Sequence, residues 1–357
     1  NIAIACGVAG VAVGLAAAAG IVYRKQIKSV ASLKRLTDYA DGYDLYAIDI
    51  AYDYDLDRII ATDVRDDQAY IDAVVAQVLP GVPAHVQAPQ FACSAFIAVD
   101  PEGRARPGRS DDFKVDASAL LVRNHPRGGY ASIGFAALNN LGDNTPLDSV
   151  GGRAAALMGP FAQLDGVNEC GVSIAVLTLD SKPCDQDTKR PVINTSLAIR
   201  LVLDRAATTQ EAVDLLSAYD MHAMAGRDYH FFINDAAGDA RVVEWDPRDP
   251  DRAFKATPVR QVTNFYACYG NEVLPNQKNG ELGHGKERVI AIADVLDAHV
   301  GAQDEAVAWK ALRAAAQEPN PEDITSNTQW SVVFDNTEPA AAITLRRHWG
   351  NVDAFAL

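Results

Sequence analysis

From Cys93 almost to the C terminus the chain runs in regular blocks of apolar and polar positions. Alternating or short apolar runs predict strands over Ser94–Asp100, Ala119–Val122, Ile133–Leu138, Tyr229–Asn234, Ala240–Trp245, Trp330–Phe334 and Ala341–Arg346. Val172–Leu179 predicts a strand buried on both faces, and Pro101–Gly108 a turn-rich connection. The segment Asp235–Asp239, between two of the strands, predicts a hairpin. Helical spacing covers Asn194 to about Ala207, Glu287–Val300 and Asp304–Gln317. Another helix opens at Thr208, where Glu211 three residues on completes a capping box. Strands and helices come in blocks rather than alternating singly, which argues for an α+β fold of stacked layers rather than a doubly wound parallel sheet.

The front of the chain is different. Asn1–Tyr23 carries no charge, is long enough to cross a bilayer, and is followed at once by Arg24, Lys25 and Lys28. A signal anchor, a cleaved signal peptide and a buried Ala-rich helix all fit this run, and the first two place the remainder outside the cytoplasm. The expected division is therefore 1–23 as anchor or signal peptide, 24–92 as an acidic pro-segment and linker, and 93–357 as the main domain. Between Asp38 and Asp72 there are eleven Asp and no Glu, interleaved with Tyr39, Tyr43, Tyr46, Tyr52, Tyr54 and Tyr70. Asp53, Asp55 and Asp57 alternate like the start of a calcium loop, but the Gly and the closing Glu are absent, which favours a solvated acidic face on an accessory segment. Pro80, Pro83 and Pro89 then predict an exposed linker into Phe91-Ala92-Cys93.

Composition narrows the function. A net charge of −15 argues against a nucleic-acid backbone as partner. Five cysteines without a CxxC pair argue against a disulfide framework and a zinc ribbon. Free cysteine is usually a small buried hydrophobe; Cys170, Cys184 and Cys268 have no spacing logic and are read as core or incidental, and Cys6 sits in the apolar front run without a lipidation context. Cys93 has more around it: Arg109 lies sixteen residues on and Asp112 nineteen on, across a hairpin-like connection. Arg near a thiol raises its thiolate fraction, and a carboxylate can hold an ammonium group. By spacing alone the two remain a salt-bridged surface pair. His230 and His284 leave a catalytic Cys–His pair open, although the Cys-Gly context of papain-like enzymes is missing.

The order of short motifs carries more. Cys93-Ser94-Ala95-Phe96 followed by Gly108-Arg109-Ser110-Asp111-Asp112-Phe113 resembles the opening of the choloylglycine hydrolase and penicillin V acylase family, linear-amide hydrolases of the N-terminal-nucleophile superfamily. That family begins its mature chain at a Cys and places Gly-Arg-Asn-x-Asp at this spacing. Asp165-Gly166-Val167-Asn168-Glu169-Cys170-Gly171-Val172 resembles its Gly-Met-Asn-Glu-x-Gly-Leu segment. His230 to Glu244 is similar to its strand pair ending in Val-Val-Glu. Thr263-Asn264 is similar to its Thr-Asn, Glu287-Arg288 to its Ser-Arg, and Thr328-Gln329-Trp330 to its last core strand. The resemblance covers 93–347. Two positions depart from it: Ser110 replaces an Asn, and Thr178 stands where bile-salt hydrolases carry an Asn.

The resemblance implies a four-layer αββα sandwich with antiparallel sheets, and a precursor that cuts itself between Ala92 and Cys93. The freed α-amino group of Cys93, with a pKa near ~7.7, would then serve as base for its own thiol. Asp112 would hold that amine, Arg109 would favour the thiolate, and Asn264 Nδ2 with the Thr178 backbone N–H would bind the oxyanion. Arg288 would stabilise charge around the nucleophile. No metal and no organic cofactor is called for. The expected activity is hydrolysis of a linear amide in an N-acylated amine or amino acid, by a bacterial protein that is membrane-anchored through its N-terminal segment or secreted. An acyltransferase using the same thioester, and a non-catalytic membrane-anchored binding protein on the same fold, are the alternatives. Homo-oligomerisation is left open.

Overall fold

The computed structural model describes residues 23–62, 64–80, 91–113, 116–141, 147, 149–273, 283–320 and 327–357. The apolar run 1–22 and most of the Pro-punctuated stretch, including Pro83 and Pro89, lie outside the described residues. No helix among the described residues is long and apolar enough to cross a membrane.

Two sheets form the centre. The larger has nine strands in the order β1-β2-β5-β6-β7-β8-β11-β12-β13. These are β1 (Lys34–Arg35), β2 (Leu45–Ile50), β5 (Ala119–Asn124), β6 (Ser132–Ala137), β7 (Gln163–Asn168), β8 (Ser173–Leu179), β11 (Asp228–Asn234), β12 (Ala240–Trp245) and β13 (Phe254–Pro258). The smaller has six in the order β14-β3-β4-β15-β16-β17. Its members are β3 (Phe91–Val99), β4 (Ala105–Phe113), β14 (Gln261–Val262), β15 (Thr328–Asp335), β16 (Ala340–Leu345) and β17 (Asp353–Ala356). A two-stranded parallel ribbon, β9 (Val192–Asn194) and β10 (Asp220–His222), stands apart. All other pairings are antiparallel except that of β2 on β5. The helices are α1 (Arg24–Ser32), α2 (Leu56–Ile60), α3 (Asp67–Val78), α4 (Val150–Ala156), α5 (Thr195–Arg205), α6 (Thr209–Ser217), α7 (Lys286–Asp297) and α8 (Glu305–Ala315).

The layers follow from strand alternation, since residues directly opposite each other share a face. On β3, Phe96 and Ala98 join Ile292, Leu296, Ala308 and Leu312 in one apolar cluster, so that face of the smaller sheet meets α7 and α8. The alternate residues Cys93, Ala95 and Ile97 therefore face the larger sheet. Across the gap, Phe135 and Phe334 bring their rings to 6.4 Å. The far face of the larger sheet is covered by α5, where a Cβ on Gly166 would touch Leu203 at 3.0 Å. The result is the αββα sandwich that the motifs imply.

Three elements differ from the sequence reading, each for a physical reason. The strand read from Ser94 begins at Phe91, so the Ala92–Cys93 peptide lies inside the ladder, with Ala92 opposite Asp112 and Cys93 opposite Asp111. The stretch read as a connection over Pro101–Gly108 turns in its first residues only, where Asp100 accepts hydrogen bonds from the backbone of Glu102 and Arg104. β4 then runs from Ala105 through the polar residues Arg109 to Asp112. Those residues are strand because their side chains find partners on both faces of the sheet. The region 24–80 is not an accessory segment either. β2 extends the larger sheet with Leu45 and Ile48 fully buried, and Asp44 is buried against Arg35 and Thr37. The three alternating carboxylates go to separate partners. Asp53 pairs with Lys25 and Arg127, Asp55 caps α2, and Asp57 meets Arg205. Thr208 caps α6 as expected, accepting from the Glu211 N–H, while the Glu211 carboxylate reaches one residue further back, to the N–H of Ala207.

Candidate active site

Cys93 is fully buried on the inner face of β3. Its Sγ donates to Asp111 Oδ1 at 3.4 Å and accepts from Arg109 Nη2 at 3.6 Å. Register explains the grouping: Asp111 stands opposite Cys93 and Arg109 opposite Ala95, so all three side chains point into the gap between the sheets. Arg109 is clamped there by Asp111 Oδ2 at 2.9 Å, Asp165 Oδ2 at 3.3 Å and the Val176 carbonyl at 3.1 Å.

The backbone of Cys93 is held separately. Its N–H donates to Asn264 Oδ1 at 2.9 Å, and its carbonyl accepts from Arg288 Nη1. Arg288 also donates from Nη1 to Ser94 Oγ at 3.0 Å and from Nη2 to Asn264 Oδ1 at 2.8 Å. One of the two Asn264 amide hydrogens goes to the Thr178 carbonyl at 2.8 Å. Gly285 sets Arg288 in place. It opens α7 with φ +93°, and a Cβ there would lie 2.5 Å from both Arg288 Nη2 and Thr263 Oγ1.

The structure thus gathers Cys93, Arg109, Asn264 and Arg288, and brings in Thr178 through its carbonyl. Asp112 is elsewhere: it lies on the helix-facing side of β4, opposite Ala92, where Thr328 Oγ1 and Gln317 Nε2 donate to it and Arg288 is 3.8 Å away. Ser110, on that same side, shares a hydrogen bond with Ser331 at 3.1 Å and has no contact with the thiol. His230 is bound to Glu244 at 3.3 Å and His284 to Asp180 at 2.9 Å. The thiol's hydrogen-bond partners are Arg109 and Asp111. Asp111 and Asp165 lie within the motifs but are not residues that the motifs mark for the site. The signal for Asp111 is period two: once β4 is read as strand, residues 109 and 111 share a face and 112 does not.

Burial dominates the electrostatics. It pushes the Cys93 thiol well up, against the pull of Arg109. It also raises Asp111 to about 7 and Asp165 to about 6, again with Arg109 opposing. Such groups bind more protons folded than unfolded, so the stability they contribute is complete below the unfolded carboxylate range. It is lost as pH rises through about 7 for Asp111 and about 6 for Asp165. A full-length Cys93→Ala chain should therefore melt at a higher temperature at pH 5 than at pH 8. Adding Asp111→Asn should shrink that difference, and an unchanged difference would show that Asp111 does not titrate in this window.

The αββα sandwich of two largely antiparallel sheets is the fold of N-terminal-nucleophile hydrolases. Penicillin V acylase from Agrobacterium tumefaciens superposes with a TM-score of 0.53 at 21% identity, over 74% of this chain and 86% of that one. A mutant of conjugated bile acid hydrolase from Clostridium perfringens gives 0.55 at 15% identity, over 74% and 92%. A family model for acyl-coenzyme A:6-aminopenicillanic acid acyl-transferase matches residues 154–348. That is more than half of the chain, and the chain belongs to this family. No curated protein sequence matches it.

Proposed function

We propose that the chain is an autoprocessed cysteine amidase, cut between Ala92 and Cys93, that hydrolyses the linear amide bond of an N-acylated amine or amino acid. The observation that carries this is the grip on Cys93: sulfur under Arg109, nitrogen on Asn264, carbonyl on Arg288. Cutting would expose an α-amine within reach of its own thiol, so nucleophile and base would share one residue. Sγ would attack the amide carbonyl, the amine would pass the proton to the leaving nitrogen, and water would release the acyl group from the thioester. The remaining hydrogen of Asn264 Nδ2 would serve the oxyanion together with the Thr178 backbone N–H. Solved structures of the same fold that are named penicillin V acylase and conjugated bile acid hydrolase support a small-molecule amide as substrate. The uncharged run Asn1–Tyr23 supports a location outside the cytoplasm, anchored or secreted.

Intact-mass analysis tests the reading. The expected result is a chain beginning at Cys93, with Cys93→Ala remaining full length. A native chain that stays whole with an unreactive Cys93 would overturn it. The family match favours a second reading, in which an amine instead of water takes the thioester. Product analysis with an added amine acceptor separates the two, since transfer yields a new amide where hydrolysis yields only free acid.

A further inference from the structure

The α-amine proposed as base does not exist until the chain has been cut, so the first cut needs another proton acceptor. We infer that Asp111 is that acceptor: its carboxylate takes the Cys93 thiol proton and so drives self-cleavage at Ala92–Cys93. This rests on the autoprocessing reading above and assigns the base for its first step.

Position argues for it. Asp111 is the carboxylate in contact with the sulfur, Oδ1 to Sγ 3.4 Å, and it is fully buried with Cys93. Its other oxygen is fixed at 2.9 Å from Arg109 Nη1, and Arg109 also reaches the sulfur, so one guanidinium orients base and nucleophile together. Asp165 on β7 braces Arg109 from the facing sheet. Asp112 is a poor candidate for this base, because it faces the helices and accepts from Thr328 and Gln317. Asp111 also occupies the open position of the Gly-Arg-Asn-x-Asp pattern, so this base is a feature of the chain in hand. A carboxylate raised to about 7 by burial is a better match to a thiol than one in its ordinary range.

In the step, Asp111 Oδ1 removes the proton from Sγ while the sulfur attacks the Ala92 carbonyl carbon. The C–N bond to Cys93 breaks, and the proton passes from Asp111 to the departing nitrogen, which Asn264 Oδ1 holds at 2.9 Å. The products are a thioester between Ala92 and Sγ and a free α-amine on Cys93. Water then hydrolyses the thioester, leaving an Ala92 carboxylate and restoring the thiol. Water is the only co-reactant.

The test uses the full chain made by cell-free translation at pH 5.5 to 9, with cutting followed by intact mass. For the wild type, the titratable and charged groups around the thiol and Asp111 are Arg109 and Asp165 in the gap, Tyr229 on β11, and Asp112 on the opposite face of β4. The cutting rate should fall as pH drops through about 7, where Asp111 gains its proton, and level off above that. Asp111→Asn should cut about 10²–10⁴ times more slowly. Its residual rate should climb steadily to pH 9, because only hydroxide is left to make thiolate. Asp111→Asn cutting at the wild-type rate would overturn the inference while leaving autoprocessing intact. If that variant fails to fold, the wild-type profile decides: a steady climb through pH 9 with no break near 7 overturns it as well. A folded wild type that is never cut removes autoprocessing and this step together.

Discussion

Arg288→Ala should abolish the proposed self-cleavage and destabilise the fold at once, and the two losses should be separable. The guanidinium holds the Cys93 carbonyl, Ser94 Oγ and Asn264 Oδ1. Without it, Asn264 is free to turn its amide over, and the Cys93 N–H loses its acceptor. Each preorganised donor of this kind is worth about 2.7–4 kcal/mol in a comparable site, so removing one and loosening a second predicts a fall of about 10³ or more. The stability loss has another origin. Arg288 is the cation nearest to Asp112, at 3.8 Å, and both are buried. Leaving a buried charge unpaired costs about 3–5 kcal/mol. Burial raises the Asp112 carboxyl, with Arg288 as the main opposing influence. In the variant Asp112 takes up a proton more readily still. A raised carboxyl loses its contribution as pH rises, so the deficit should be larger at pH 8 than at pH 5. Asp112→Asn added to Arg288→Ala should recover most of the stability and none of the cutting, because Asn can still accept from Thr328 or Gln317 but cannot grip Cys93. Denaturation midpoints and intact mass for the two single variants and the double variant give the full cycle. An Arg288→Ala chain cut at the wild-type rate would remove Arg288 from the site.

Much of this arrangement is legible in the sequence because it depends on order and period. The paired strands around Asp235–Asp239, the buried strand at Ser173–Leu179 and the helix capped by Thr208 agree with their patterns to within a residue or two. Cys93, Arg109, Asn264 and Arg288 come from motif order, and the fold brings them together. What the sequence hides is sidedness. Arg109 to Asp112 is an unbroken polar run with no alternation to show its faces, and only the ladder with β3 shows that Asp111 shares a face with the thiol while Asp112 does not. The role of 24–80 is hidden for a different reason. Its many Asp suggest a solvated surface, yet Asp44 is satisfied internally by Arg35 and Thr37, and the apolar residues between the acids are what the larger sheet needs at its edge. Charge counts report composition, whereas burial depends on which partner each carboxylate finds.

That integration would decide the fate of the front segment after the proposed cut. A chain cleaved at Ala92–Cys93 should remain a single particle in gel filtration and separate into two pieces only under denaturing conditions. β2 pairs along its whole length with β5, from Leu45 on Ala119 to Ile50 on Asn124. Leu45, Ile48, Tyr52, Ile59, Tyr70, Ile71, Val74 and Val78 are all buried against the main core. Burying side chains of this size stabilises by about 1.5–3 kcal/mol each. Even a part of that set matches the ~4–15 kcal/mol that association of two separate chains costs. Polar contacts add specificity: Tyr54 donates to Asp204, and Arg346, which pairs with Asp41, lies 5.3 Å from the Tyr39 ring and 5.6 Å from the Tyr43 ring. α3 also forms one wall of an apolar cavity of about 70 Å³, through Tyr70, Ile71 and Val74 against Met158, Phe161 and Ile199. Residues 93–357 produced alone would expose all of this surface and the β5 edge, and should aggregate. Supplying residues 24–92 as a separate chain in the same cells should restore soluble protein. If 93–357 alone is soluble, monomeric and as stable as the two-chain form, the front segment is a detachable leader and its burial contributes nothing to the mature fold.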